Sequence, residues 1–239
     1  MSLLVCIVFH YTKVGEVHLN KIVDTFQNEY KIPVSIIIDT NTQDIWYLNR
    51  GNVKVVVHNK LEHPFHLAWM HRAHIKEEIG NYDTFMYVEH DMYVPYANYL
   101  NYLDNFKILF PEYIPSFVRI EEKDGEKYCI DIIRGMQKKL VTVKMGSKDF
   151  TVLGNMYHAF WIMPNSELAS TLVPDFVRVG EKREDASSYP RVDLHKVGMV
   201  EIENELISEK CFAYHLTNNY VEISHTRFGK IKLKDLFLW

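Results

Sequence analysis

Thr84-Phe85-Met86-Tyr87-Val88-Glu89-His90-Asp91 decides how this chain is read. A run of apolar, strand-favouring residues ends by delivering two acids, one residue apart, to whatever lies beyond its carboxyl end. Acids at i and i+2 lie on the same side of an extended chain. The segment continues through Met92-Tyr93-Val94 to Pro95, where the extended pattern stops.

Upstream of it, strand and helix signals alternate. Leu3–Phe9 is an apolar run that reads as a buried strand. From Glu16 to Tyr30, Leu19, Ile22, Val23, Phe26 and Tyr30 recur at helical spacing, and Pro33 ends the pattern. Val34–Ile38, closed by Asp39, and Val53–Val57, closed by His58, are β-branched runs of buried-strand type. Pro64 opens and Gly80 closes a segment whose composition predicts a helix over Phe65–Ile79. Thr84–Val88 is then the fourth strand. Strands alternating with helices predict a mostly parallel sheet with crossover helices. In such sheets ligands bind outside the carboxyl ends of the strands. Asp39, His58 and the Glu89-His90-Asp91 triplet are therefore expected on one rim.

Downstream, Tyr96–Phe110 reads as a helix stopped by Pro111. Beyond it, runs at Phe117–Ile120 and Tyr128–Ile133 flank Asp124-Gly125. Runs at Leu140–Met145 and Phe150–Leu153 flank Gly146, so two antiparallel hairpins are expected. No linker, repeat or low-complexity tract separates the halves. The fold class expected is α/β, one domain over 1–239.

At 239 residues with 47% hydrophobic content, the chain is long enough to bury a sizeable core. A net charge of -4 argues against a surface that holds a nucleic-acid backbone. The N-terminal apolar run is too short to span a bilayer and lacks a leader's flanks. Cys6, Cys129 and Cys211 are odd in number, far apart and form no CxxC pair. With no Asn-x-Ser/Thr acceptor in the chain, a reducing compartment, the cytoplasm, is expected.

Paired carboxylates at a strand end suit a hard divalent ion such as Mn²⁺ or Mg²⁺, which prefers carboxylate oxygens and keeps positions open for diphosphate oxygens. One acid can grip the ion while the other reaches a ribose hydroxyl or a metal-bound water. A solvated acidic turn is the plainer reading. On the order of its elements through Pro95, the sequence resembles the A-type glycosyltransferases, which carry a DxD signature at the fourth strand. Here Glu89 replaces the first Asp. The resemblance implies that Asp91 contacts the metal directly, with Glu89 nearby. It further implies a nucleotide-binding half at 1–95 and an acceptor-binding half at 96–239.

Three later segments extend the likeness. Gly154-Asn155-Met156-Tyr157-His158-Ala159-Phe160-Trp161 looks like the stretch placed beneath the donor sugar, with Asn155 and Trp161 as candidates; an aromatic face suits a pyranose ring. Phe160-Trp161-Ile162-Met163 also reads as a core strand. Gly180-Glu181-Lys182-Arg183-Glu184-Asp185, followed by Arg191 and Gly198, is similar to the Glu-Asp motif of the inverting family that includes cellulose and chitin synthases. By that resemblance Asp185 is the catalytic base and Glu184 its understudy. Tyr214-His215-Leu216 matches the late histidine that many relatives return to the metal.

His63, His66, His71 and His74 fall in one segment, and imidazole is the commonest transition-metal ligand. On an ideal helix His63, His71 and His74 share a face. The spacing does not match HExxH. The favoured reading is a helix lining the nucleotide pocket, with Arg72 or Lys76 facing phosphates, as the resemblance implies.

The function expected is metal-dependent transfer of a sugar from a UDP- or GDP-sugar to a hydroxyl of a glycan or small acceptor. Inversion follows if the Glu-Asp assignment holds, and retention stays open. His10, Tyr11 and Asp39 would hold the nucleoside. The alternatives are an inactive glycan- or nucleotide-sugar-binding module and a metallohydrolase built on the histidine segment. A nucleotidyltransferase is disfavoured because Phe9-His10-Tyr11-Thr12-Lys13-Val14-Gly15 lacks a glycine-rich phosphate loop.

Overall fold

The structure, a computed structural model, describes residues 1–129, 142–152, 160–171, 198–204, 206–216 and 231–232. The chain divides into two compact units, Met1–Met92 with Ala159–Leu194, and Tyr93–His158 with His195–Trp239. It is an α/β protein with mixed parallel and antiparallel sheets.

The first unit is built on β1 (Leu3–Phe9), α1 (Lys13–Asn28), β2 (Val34–Thr40), β3 (Val53–Val57), α2 (His71–Glu78) and β4 (Thr84–Glu89). Later in the chain β11 (Phe160–Pro164) and α4 (Asn165–Thr171) complete it. The strand order is β11-β4-β1-β2-β3. The first four strands are mutually parallel, and β11 joins antiparallel to β4 with Trp161 opposite Tyr87. Every residue of β1 is buried, as a central parallel strand covered on both faces requires. Phe9, Phe85, Tyr87 and Trp161 are the largest side chains enclosed there.

Two expectations change in detail. α1 begins a turn before Glu16 because Thr12 caps it: the Thr12 hydroxyl accepts from the Gly15 N–H at 2.9 Å. The helix expected over Phe65–Ile79 divides into a 3-10 segment, Pro64–Trp69, and the eight-residue α2. In the first part backbone bonds run three residues back, from His66 to His63 and from Met70 to Leu67. The Ala68 carbonyl is taken by the His71 ring, Nδ1 lying 2.7 Å away, so a side chain competes for an acceptor of the helical ladder.

In the second unit, α3 (Tyr96–Leu109) follows β5 (Met92–Tyr93). The first expected hairpin is present as β7 (Val118–Lys123) and β8 (Glu126–Cys129), turned by Asp124 and Gly125, both at positive φ. The second is β9 (Thr142–Met145) and β10 (Lys148–Val152), with Gly146 at φ 61°. β6 (Ile114–Pro115), β12 (Gly198–Glu203) and β13 (Leu206–Ile207) join β9 and β10 in one sheet. β14 (Phe212–His215) and β15 (Ile231–Lys232) join β5, β7 and β8 in another. Val118, Ile120, Cys129, Val200, Ile207, Cys211 and Phe212 pack into one core cluster. The three cysteines are free and buried. Among the described residues no helix is long and apolar enough to cross a membrane.

Candidate functional site

The strand order of the first unit grows outward from β1 through β2 to β3, then returns to the other side of β1 for β4. The β1/β4 boundary is thus a topological switch point, where open α/β sheets leave a crevice at the strands' carboxyl ends. Three pieces of chain meet there. β1 ends into His10, Tyr11 and the Thr12 cap of α1. β4 ends at Glu89, and His90 and Asp91 form a turn, so the extended chain that would align the two acids stops two residues before Asp91. The His90 N–H donates to the Val8 carbonyl at 3.2 Å. Its ring sits edge-on to Phe9 and over Gly15, where a Cβ would lie 2.8 Å from Nε2. Gly15 is therefore what lets the β4 turn close onto the first turn of α1. Glu89 and Asp91 are both half-buried.

Asn41, which the sequence did not single out, ties the β2 end to this loop. Its Oδ1 accepts from the Tyr11 N–H at 2.9 Å, and its Nδ2 lies 3.4 Å from His10 Nε2. An Asn directly after a strand, opposite a polar loop, was the available signal.

Asp39 lies at the end of β2 and is 1% exposed. His58 Nε2 is 2.7 Å from its Oδ1, and His74 Nε2 is 3.1 Å from the same oxygen. His58 follows β3, and His74 comes from α2. Burial by itself would push the Asp39 carboxyl up, but the two imidazole hydrogen bonds outweigh it and hold the group below the ordinary carboxylate value. The second oxygen, Oδ2, is buried and has no hydrogen-bond partner. The ligand atoms of the three residues lie within 4.8 Å of one another, so the cluster is capable of coordinating a metal ion. No other such group of three is found among the described residues. The rim position of Asp39 and His58 was legible in sequence; the arrival of His74 was not.

The remaining candidates of α2 point elsewhere. His71 is enclosed against Tyr87, with ring centroids 4.2 Å apart, and Trp161, 5.8 Å away. Burial drives its pKa down to about 3, so the ring is neutral. Arg72 is buried with its guanidinium 4.0 Å over the Trp69 ring, and burial lowers its pKa to about 10. Lys76 is exposed. Trp161 is 2% exposed and stacked with Tyr87 across the β4–β11 pairing.

In the second unit, His215 on β14 meets Glu121 on the adjacent β7, with Nδ1 2.7 Å from Oε1. Both side chains are buried. Asn155, Glu184 and Asp185 lie outside the described residues.

Neither a family model nor a curated protein matches the sequence. Solved structures do, among them the crystal structure of mannose-1-phosphate geranyltransferase from Thermus thermophilus. That chain is 8% identical, with a TM-score of 0.39, the match covering 90% of this chain and 73% of that one. A likeness this distant carries nothing about chemistry. Fold and site together define an α/β protein with a buried, ion-competent Asp–His–His cluster and a loop-lined switch point.

Proposed function

We propose that the protein is a metal-dependent glycosyltransferase that moves a sugar from a nucleoside diphosphate sugar to a hydroxyl of a glycan or small acceptor. The observation that carries this reading is the meeting, at the β1/β4 switch point, of the acidic β4 turn with the β1 loop and the capped start of α1. Backbone N–H groups at a helix start favour an anion. Carboxylates beside them suit the cation that accompanies a diphosphate.

In this reading His10 and Tyr11 face the nucleoside and Lys76 the phosphates. Asp39 acts through the histidines that cover it, since its own carboxylate is turned inward. Arg72, held over Trp69, is a positioning residue, and the proposal leaves Trp161 to packing. Asp91, with Glu89, would hold Mn²⁺ or Mg²⁺, whose oxygen preference they fit; when bound, the ion neutralises charge on the departing diphosphate. His215 keeps its assignment as a ligand because a carboxylate on Nδ1 fixes a ring as ligating imidazoles are fixed. Asn155 is assigned to the donor sugar, and Asp185, with Glu184 beside it, to the acceptor proton.

A thermal-shift panel of UDP, GDP, CMP and their sugars, with and without Mn²⁺, tests the reading. A ligand at a hundred times its Kd stabilises by about 2.7 kcal/mol. A diphosphate nucleoside that stabilises the protein only with Mn²⁺ is the expected result. Indifference to every nucleotide in both conditions would end the transferase reading.

A further inference from the structure

The Asp39 cluster is built unlike the acidic turn. Three donors from three separate elements converge, two of them imidazoles, and both Nε2 atoms address a single carboxylate oxygen. The other oxygen is buried without a partner. Two donors crowd one oxygen while the other has none, an arrangement that neutralising Asp39 alone does not require. Asp39 is 1% exposed, while the side chains of His58 and His74 are 20% and 14% exposed, so the cluster closes on the carboxylate side and opens on the imidazole side.

We infer that Asp39, His58 and His74 form a binding site for Zn²⁺, separate from the ion assigned to Asp91. Two imidazole nitrogens and one carboxylate oxygen are a donor set that Zn²⁺ takes and that Mg²⁺, which seeks an all-oxygen shell, does not favour. Donors on a tetrahedral zinc with arms of about 2.0–2.2 Å lie about 3.3–3.5 Å apart. The present separations from Oδ1 are 2.7 and 3.1 Å and all three ligand atoms lie within 4.8 Å of one another, so rotations of the two partly exposed rings bring the set to that spacing. Ligation through Nε2 requires that nitrogen to be unprotonated, so a proton held there passes to Nδ1 or to solvent when the metal binds. Three protein ligands leave a fourth position open, the arrangement of zinc sites that accept water or a small ligand rather than of closed structural ones.

Chelator-stripped full-length protein titrated with Zn²⁺ by calorimetry, with Co²⁺ absorption as a second readout, decides the matter. One equivalent of zinc is expected, undisplaced by excess Mg²⁺, and cobalt should give visible bands of low coordination number. His58→Gln and His74→Gln should each weaken zinc binding by at least about 100-fold. Asp39→Asn should do the same; if it fails to fold by circular dichroism, the two histidine variants decide. Asp91→Ala should bind zinc as the parent does, which separates this site from the proposed donor site. Absence of stoichiometric zinc binding, displacement by Mg²⁺, or unchanged affinity in both histidine variants overturns the assignment.

Discussion

The Nε2 atom of His90 occupies the space that a side chain at Gly15 would need, 2.8 Å from the position of a Cβ there. That Cβ would also lie 2.7 Å from the Thr12 Oγ1 that caps α1. The β4 turn and the start of α1 are thus fitted to each other through the absence of one methyl group. Alanine ordinarily favours a helix over glycine by about 1 kcal/mol. Here the displaced cap costs about as much, and the displaced His90 ring adds to it. Gly15→Ala is therefore expected to lower stability by about 1 kcal/mol and to disturb nucleotide binding more than stability. In a His90→Ala background the stability cost of Gly15→Ala should shrink. Urea unfolding of the four proteins in that cycle measures it, and an additive result would mean that the two residues do not share the space.

Asp91 provides a second test, which separates metal dependence from folding. It is half-buried in a turn rather than in the core, so Asp91→Ala should leave the melting temperature close to that of the parent. Nucleotide affinity measured with and without Mn²⁺ should become the same in the variant, whereas the parent should bind more tightly with the ion. Intact metal dependence in Asp91→Ala would move the ion elsewhere.

His71 predicts an acid sensitivity whose sign is fixed by its burial. Its folded pKa is about 3, against an ordinary 6.5, because burial disfavours the charged ring. Above pH 6.5 the ring is neutral in both folded and unfolded chains, and its contribution is fully present. As pH falls below 6.5 the unfolded chain binds the proton and the folded one does not, so stability is lost progressively down to about pH 3. Between pH 7 and pH 5 this amounts to roughly 2 kcal/mol at about 1.4 kcal/mol per unit. His71→Phe keeps a ring against Tyr87 but leaves the Ala68 carbonyl without its donor. The variant should be less stable at pH 7 and have a flatter profile toward pH 5. Parallel slopes for parent and variant in urea unfolding would show that His71 does not carry the effect.

What the sequence disclosed, and what it withheld, follows the range of the interactions concerned. Leu3–Phe9, Val34–Ile38 and Val53–Val57 are strands because β-branched and apolar residues suit a doubly covered sheet, a property each run carries alone. Asp124-Gly125 and Gly146 turn hairpins for an equally local reason, since positive φ is needed there. The break between Pro64–Trp69 and α2 was hidden because it depends on which carbonyl the His71 ring captures. His74 was grouped with His63 and His71 by helical spacing, yet its partner is Asp39, which only the docked fold brings to it. Asp91 was aligned with Glu89 on an extended chain, a premise that fails once the strand stops at Glu89. The sequence favours Trp161 as a sugar platform and leaves Phe160 and Ile162 to the core; an aromatic ring serves either use, and Trp161 is 2% exposed and stacked with Tyr87.

Transfer to an acceptor hydroxyl requires the removal of its proton. A sugar or small-molecule hydroxyl is a weak nucleophile until a positioned carboxylate takes its proton, and such a base is worth about 10² to 10⁴ in rate, or roughly 3 to 5 kcal/mol of barrier. The proposal gives this task to Asp185, the second acid of Gly180-Glu181-Lys182-Arg183-Glu184-Asp185. Asp185→Asn preserves shape and removes basicity. Transfer to a defined acceptor should therefore fall by about 10² to 10⁴, while Mn²⁺-dependent nucleotide binding is unchanged. Loss confined to turnover, with donor affinity intact, is the signature of an interaction made only in the transition state. Glu184→Gln should do less damage, because the neighbouring acid still accepts the proton. If the two variants exchange these phenotypes, Glu184 is the base. If both transfer at the parental rate, the Glu-Asp pair is a solvated charge run, and the inverting mechanism loses the residue on which it depends.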